Sequence, residues 1–167
     1  EWDGAVWPFA TAQTMTAMAN YMNNHSQNIL TDSVYFKLME LYVECQYHRG
    51  RPYIGEYLDE IHGYWLKGDQ ERSRYYNHST FNDLIITGLI GLRPREDNTI
   101  EVNPLLPNDK WDWFCLDNIL YHGKILTILW DKNGDRYHQG KGFKILVNGI
   151  EVGKSDKLEK IICKDVL

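Results

Sequence analysis

Three carboxylates lie within five residues of one another, in a segment that is rich in aromatic rings. Glu56, Asp59 and Glu60 fall between Gly55 and Gly63. Hydrolysis of a glycosidic bond needs two carboxylic groups: one protonates the leaving oxygen, and the other activates a water molecule or attacks the sugar. A carboxylate held among aromatic rings, as Glu56, Asp59 or Glu60 would be, is suited to one of these two roles. Charged loop residues are usually solvated, so an ordinary surface turn stays open as a second interpretation.

Helices are expected in the first half of the sequence. Pro8 suits a first helical turn, and apolar residues then recur at spacings of three and four, which places them on one face: Phe9, Ala12, Met15, Ala19 and Met22. A second helix is expected after a cap at Thr31 or Asp32. Its predicted apolar stripe consists of Val34, Leu38, Leu41, Tyr42 and Cys45.

An irregular segment is expected between the second helix and a third one. Residues 51–79 contain several glycines and prolines and many aromatic residues. A loop of this length is uncommon in a compact domain unless it has a function. The third helix is predicted from Thr80 to about Leu89, with Ser79 as its cap.

Beyond residue 95 the apolar pattern changes from helical to alternating, which indicates β-strands. The expected strands are Thr99–Val102, two within residues 111–130, Phe143–Val147, Ile150–Val152 and Leu158–Cys163. Asn133-Gly134 and Asn148-Gly149 are hairpin turn signals. The sequence therefore predicts a mixed fold with a helical part, residues 1–95, and a small antiparallel β-sandwich-like domain, residues 96–167.

Composition argues against several partners. The formal net charge is −5 and no basic run is present, so nucleic acid is not an expected partner. No apolar run approaches the roughly 20 residues of a membrane span, so no membrane partner is expected either. The three Cys and six His show no metal-ligand spacing, and neither metal nor cofactor is predicted. The compartment stays open: periplasmic, extracellular and cytoplasmic locations all fit.

The loop that contains Glu56 resembles a segment of known glycoside hydrolases. Glu56, Asp59, His62 and Gly63 match the pattern E-x-x-D-x-x-T/H-G near the end of the (α/α)6 barrel in glucosidase I-like (family 63), trehalase-like and mannosylglycerate hydrolase-like enzymes. The leading Glu of that pattern is the general base. The resemblance implies an inverting mechanism, with Glu56 as the base.

Three further segments resemble the same group and occur in the same order. Residues 2–8 are similar to its W-x-G-x-V/I-W segment, which opens a barrel helix and lines the sugar pocket. Residues 76–94 are similar to its closing barrel helix, and residues 103–107 to the entry of its C-terminal β-domain. Ala5 replaces a commoner Pro, and His62 replaces a commoner Thr; the second change bears on the substrate more than on the fold.

The resemblance implies a set of substrate-binding residues around Glu56: Trp2, Gly4, Trp7, Tyr57, Trp65, Asn77 and His78. The Trp residues could equally fill a barrel core, and Asn77 and His78 could cap the third helix. Asp83 is expected to be a stabilising charge near a helix N-terminus. For the ring-dense run Trp111–Phe114, the sequence favours a contact between domains over a binding site.

These observations predict the C-terminal part of an inverting glycoside hydrolase, acting on an O-glycosidic bond of the α-glucoside type. The general acid is expected on an upstream hairpin of a longer protein, so the chain alone is expected to be inactive. The expected partners are a carbohydrate and either the rest of the barrel or another copy of the chain. The alternative is a non-catalytic carbohydrate-binding or interaction module.

Overall fold

The structure, a computed structural model, describes residues 4–26, 28–76 and 80–166. The chain forms two compact units, Glu1–Leu84 and Ile85–Leu167. The first unit contains α1 (Pro8–Asn24), α2 (Asp32–Glu44), β1 (Tyr47–His48), β2 (Arg51–Pro52), a 3-10 turn (Glu71–Ser73) and α3 (Thr80–Asp83). After a π-helical segment, Leu84–Leu89, come β3 (Leu92–Arg93), β4 (Ile100–Val102), β5 (Trp113–Tyr121), β6 (Lys124–Asp131), β7 (Gly142–Val147), β8 (Ile150–Ser155) and β9 (Ile161–Cys163).

Helix α1 begins where the sequence predicts it. Pro8 occupies the first turn, where its missing N–H costs no hydrogen bond. The predicted apolar face is confirmed at Ala12, Met15 and Ala19, which are buried, whereas Phe9 is 39% exposed. The helix therefore packs through the middle of the predicted stripe.

Helix α2 has the expected cap but buries a different face. The Thr31 hydroxyl accepts a hydrogen bond from the Val34 amide, as predicted for an N-cap. The buried residues are Tyr35, Phe36, Met39 and Tyr42, so the predicted stripe is correct only at Tyr42. Because apolar residues surround most of this helix, their spacing alone could not select the packed face; the fold selects the face with the larger rings.

The third helix is shorter than predicted. Regular α-helix covers only Thr80–Asp83, and the next residues form a wider turn in which Ile90 and Gly91 donate to the carbonyls of Ile85 and Ile86. These are bonds between residues five apart. The run Ile85-Ile86-Thr87 is β-branched, which disfavours α-helical packing of successive turns. Ser79, the predicted cap, lies outside the described residues.

The second unit is built from two antiparallel sheets, with strand orders β5-β6-β7-β8 and β3-β4-β9. Strands β6 and β7 are central in the larger sheet and carry its most buried side chains: Leu126, Ile128, Phe143 and Ile145. Helices followed by antiparallel sheets confirm the mixed fold class. The complete (α/α)6 barrel remains a proposal, and so does a domain boundary after residue 95.

Two tight turns set the register of the larger sheet. Asn148 and Gly149 both have positive φ, as the predicted two-residue hairpin requires. His122-Gly123 forms a similar turn that the sequence analysis missed, because His is uncommon there. The prediction of a tight hairpin turn at Asn133-Gly134 was wrong, because β6 and β7 are joined by the longer connection of residues 132–141. Within the described ranges, no helix has the length and apolar character that crossing a membrane requires.

Candidate functional site

Backbone pairing brings the two predicted site segments together. Leu58 lies between Val6 and Trp65, bridging to both in antiparallel fashion. The Val6 and Leu58 amides each donate to the other residue's carbonyl at 2.9 Å. The segment that holds Gly4 and Trp7 therefore runs beside the loop that holds Glu56 and Tyr57, although about fifty residues separate them in sequence.

Glu56 is held in a mostly buried position by one hydroxyl. Its side chain is 13% exposed, and Ser73 Oγ donates to Glu56 Oε2 at 3.2 Å. The Arg72 guanidinium lies 4.0 Å from the same oxygen. In the described part of the chain, Glu56 Oε1 accepts no hydrogen bond. The carboxylate is thus oriented through one oxygen while the other keeps its acceptor capacity.

Aromatic rings form the walls around Glu56. Tyr53, Tyr57 and Trp65 are each less than 10% exposed and, with Ser73, line a void beside Glu56 that is too narrow for a water molecule. The Tyr53 ring meets Trp65 edge-on at 5.4 Å, and the Trp65 indole N–H donates to the Tyr47 carbonyl at 3.0 Å. These contacts make a rigid setting for the carboxylate.

Two buried hydroxyls beside this void lack protein partners. Among the described residues, the Tyr53 and Tyr57 hydroxyls make no hydrogen bond. Burial raises the pKa of Tyr53, so its phenol stays protonated and able to donate near neutral pH. Leaving a buried hydroxyl unpaired costs about 1–3 kcal/mol. Both hydroxyls therefore keep unused hydrogen-bonding capacity within the described part of the chain.

An open cleft adjoins the rings. The Trp7 and Tyr57 ring centroids are 4.6 Å apart, and the Lys67 ammonium lies 5.4 Å from the Tyr57 centroid. Tyr57 and Lys67 border both the closed void and a cleft of about 480 Å³, which Gly4 and Glu60 also line. Gly4 has φ +152°, and a Cβ at this position would lie 3.2 Å from Glu60 Oε1. A side chain at Gly4 would therefore crowd this cleft.

Asp59 has a structural role in the same loop. Its Oδ1 atom accepts hydrogen bonds from the Ile61 amide at 3.1 Å, from the His62 amide at 2.7 Å and from His62 Nδ1 at 3.0 Å. The His62 amide contributes most to lowering the pKa of Asp59, and the His62 side chain and the Ile61 amide add to this effect. Asp59 therefore stabilises the turn that ends at Gly63.

We expect Asp59→Asn to destabilise the protein in a pH-dependent manner. The pKa of Asp59 in the folded state lies below its ordinary value of 3.8, so its stabilising charge is present above that value and is lost as the pH falls through the folded-state pKa. Thermal denaturation at about pH 6 should show a lower Tm for the variant, and the difference should shrink at about pH 3. Glu60→Gln is the control, since Glu60 is exposed. A Tm difference that does not change with pH would contradict this role.

Another cleft of the first unit is larger than the one beside Gly4, and Glu56 does not line it. It measures about 850 Å³ and is lined by charged groups that include His48, Arg49 and Asp69. Asp69 is already bonded, because Arg49 donates to Oδ2 at 2.8 Å and His48 Nε2 lies 3.2 Å from Oδ1. Tyr53 borders this cleft as well as the void beside Glu56.

The structure brings together five of the predicted site residues: Gly4, Trp7, Glu56, Tyr57 and Trp65. Trp2, Asn77 and His78 lie outside the described residues, and their roles stay predictions. The sequence analysis missed Tyr53, Lys67 and Ser73. No motif marks Ser73, which reaches Glu56 from 17 residues away, although the ring-rich composition around Tyr53 was a usable signal.

Two family models and one solved structure match this chain. Residues 1–79 match the Mannosylglycerate hydrolase MGH1-like glycoside hydrolase domain. Residues 92–153 match the C-terminal domain of glycosyl hydrolase family 65. A solved structure named "Sialidase" is similar over 100% of this chain, with 77% sequence identity and a TM-score of 0.96. The chain spans 15% of the length of that protein.

The motif resemblance is confirmed by these matches: the chain is similar to the end of a mannosylglycerate hydrolase-like glycoside hydrolase domain, followed by a family 65-type C-terminal domain.

Proposed function

We propose that this chain supplies the general base of an inverting glycoside hydrolase and that Glu56 is that base. The main support is the contrast between the two best-placed carboxylates. Glu56 is mostly buried among rings and is oriented by Ser73 through one oxygen. Asp59 has three donors on a single oxygen and stabilises the loop. The donors on Asp59 lower its pKa and so make it a weaker base, which favours Glu56 for accepting a proton from water.

The surrounding groups suit the binding of a sugar ring. Trp7 is only partly buried and has a large ring with a polar edge, which suits packing against the C–H face of a sugar, and the buried Tyr57 ring packs behind it. A carbohydrate substrate follows from the glycoside hydrolase matches. The finer assignment, an α-glucoside-type bond, rests on the motif resemblance.

The proposed reaction needs a second carboxyl group as general acid. In an inverting enzyme, the acid protonates the leaving oxygen while the base removes a proton from a water molecule on the opposite face of the sugar, and the two carboxyl groups stand about 6.5–9.5 Å apart. We place the acid in the remainder of a longer protein, closing an (α/α)6 barrel around Glu56. The small share of the similar solved chain that this sequence covers, 15%, supports that placement. On this proposal, the chain alone hydrolyses no glycoside.

The stereochemistry of the product tests the proposal. We expect the longer enzyme that contains this chain to release a β-anomer first from an α-glucoside, because water attacks the face opposite the leaving group. Proton NMR of the earliest product distinguishes the two anomers. First release of the α-anomer would exclude inversion. Since the similar solved protein is named a sialidase, 3′-sialyllactose belongs in the substrate panel, and turnover of it alone would replace the α-glucoside assignment.

A further inference from the structure

A second cleft, entirely within the unit Ile85–Leu167, presents aromatic rings to solvent. It measures about 640 Å³, which lies within the range of roughly 300–1,000 Å³ typical of small-molecule sites. Its lining includes Trp111, Trp113 and Tyr137. Trp111 is 38% exposed and Trp113 is 48% exposed. Both rings are therefore accessible to a ligand, and they line one cleft.

Backbone hydrogen bonds hold the two Trp residues in place. The Trp130 indole N–H donates to the Trp111 carbonyl at 2.9 Å. The Lys132 amide donates to the Asp112 carbonyl at 2.9 Å, and the Lys132 ammonium pairs with Asp112 Oδ1 at 3.0 Å. Trp113 then begins β5 and pairs with Asp131 on β6. The rings are therefore mounted on fixed backbone, which reduces the entropy lost on binding.

A buried carboxylate, Asp131, holds the segment that carries Arg136 and Tyr137 beside Trp113. Asp131 is 2% exposed and accepts hydrogen bonds from the amides of Gly134, Arg136 and Tyr137 at 2.8–2.9 Å. This network holds the connection between β6 and β7 so that the Arg136 guanidinium lies 4.2 Å from the Trp113 ring centroid. The Tyr137 ring stands edge-on to Trp113 at 6.4 Å. A buried charge thus holds the segment of Tyr137, which lines the cleft, and of Arg136, which lies against the Trp113 ring.

We propose that this cleft binds a saccharide. A sugar ring has an apolar C–H face and a rim of hydroxyl groups, and the cleft has the matching parts. The Trp rings offer apolar faces, while the Tyr137 hydroxyl both donates and accepts hydrogen bonds. Burial raises the pKa of Tyr137, so its hydroxyl remains protonated near neutral pH. The site is independent of Glu56, and the inference stands whether or not Glu56 is a catalytic base.

Titration of the full chain with maltotriose and with 3′-sialyllactose tests the inference. We expect saturable shifts of the Trp113 and Trp111 indole N–H signals in NMR, with a Kd on the order of 1 mM or tighter. Trp→Phe variants assign the six indole signals. Shifts confined to Trp7 and Trp65 would place all binding at the Glu56 loop and would overturn the inference. The absence of any shift with either sugar would do the same.

A substitution series locates the binding energy. Trp113→Ala should raise the Kd at least about 10-fold, as truncation of an aromatic anchor commonly does. Trp113→Phe should retain part of the affinity because a flat ring remains. Leu120→Ala is the matched control, since Leu120 lies on the same strand, is 73% exposed and does not line the cleft. An unchanged Kd in Trp113→Ala, with the larger sheet intact by circular dichroism, would also contradict the proposal.

Discussion

If Glu56 is the general base of the proposed longer glycoside hydrolase, Glu56→Gln should lower turnover by about 10²–10⁴-fold, the usual contribution of such a base. The amide oxygen of Gln can still accept the Ser73 hydrogen bond, so the loop should keep its conformation. The loss should therefore appear mainly in kcat, because the substituted group acts on water and not on substrate binding. Steady-state kinetics with an activated α-glucoside, together with a thermal denaturation curve, measure both quantities.

The control for this prediction is Glu60→Gln in the same loop. Glu60 is exposed and does not line the void that Tyr53, Tyr57 and Trp65 form beside Glu56, so its neutralisation should change kcat only slightly. Azide, a small external nucleophile, should restore part of the activity of Glu56→Gln on the activated substrate. Near-normal turnover by Glu56→Gln, with Asp59→Asn inactive at a pH where it remains folded, would show that Glu56 is not the general base.

Gly55→Ala should destabilise the loop and impair the site together. A Cβ at Gly55 would overlap the Trp65 ring and would lie 2.6 Å from Tyr53 Cε1, so at least one of the two rings must move. Overpacking of this kind costs roughly 1–3 kcal/mol. Since both rings wall Glu56, a displacement of about 1 Å could lower activity by up to about 10²-fold. Thermal denaturation, near-ultraviolet circular dichroism and kcat are the measurements.

Gly63→Ala separates steric overlap from backbone strain. Gly63 has φ +70°, and an added Cβ would meet nothing within 4 Å. Its substitution should cost only the strain of a left-handed conformation, roughly 1–2 kcal/mol, and should leave the aromatic circular dichroism signal unchanged. If Gly55→Ala has the Tm and the aromatic signal of the wild type, the tight packing around Gly55 is not needed to hold the rings.

Local features of the fold were predictable because they depend on neighbouring residues. Pro8 at a first turn, Thr31 as a cap and Asn148-Gly149 as a hairpin turn each act through their own backbone geometry. The predictions failed where a longer-range choice was involved. Helix α2 could bury either of two apolar faces, and which one packs depends on contacts outside the helix.

The sequence by itself determined the class of the protein and the loop that holds its candidate carboxylates. The order of short motifs indicated a glycoside hydrolase, and the family matches confirm that resemblance. It could not rank Glu56 against Asp59 from the residues alone, because both are carboxylates in one glycine-bounded loop.

Only the tertiary structure separated the environments of these two residues. Leu58 pairs with Val6 and Trp65, which brings distant rings to Glu56, and Ser73 reaches it from beyond the loop. Asp59 Oδ1 instead accepts hydrogen bonds from amides of its own turn. The cleft at Trp113 is also a tertiary feature, because the segment Arg136-Tyr137 beside Trp113 is held by hydrogen bonds from its amides to Asp131. Burial and hydrogen bonding across long sequence separations decide what a carboxylate or a ring can do, and residue spacing does not encode them directly.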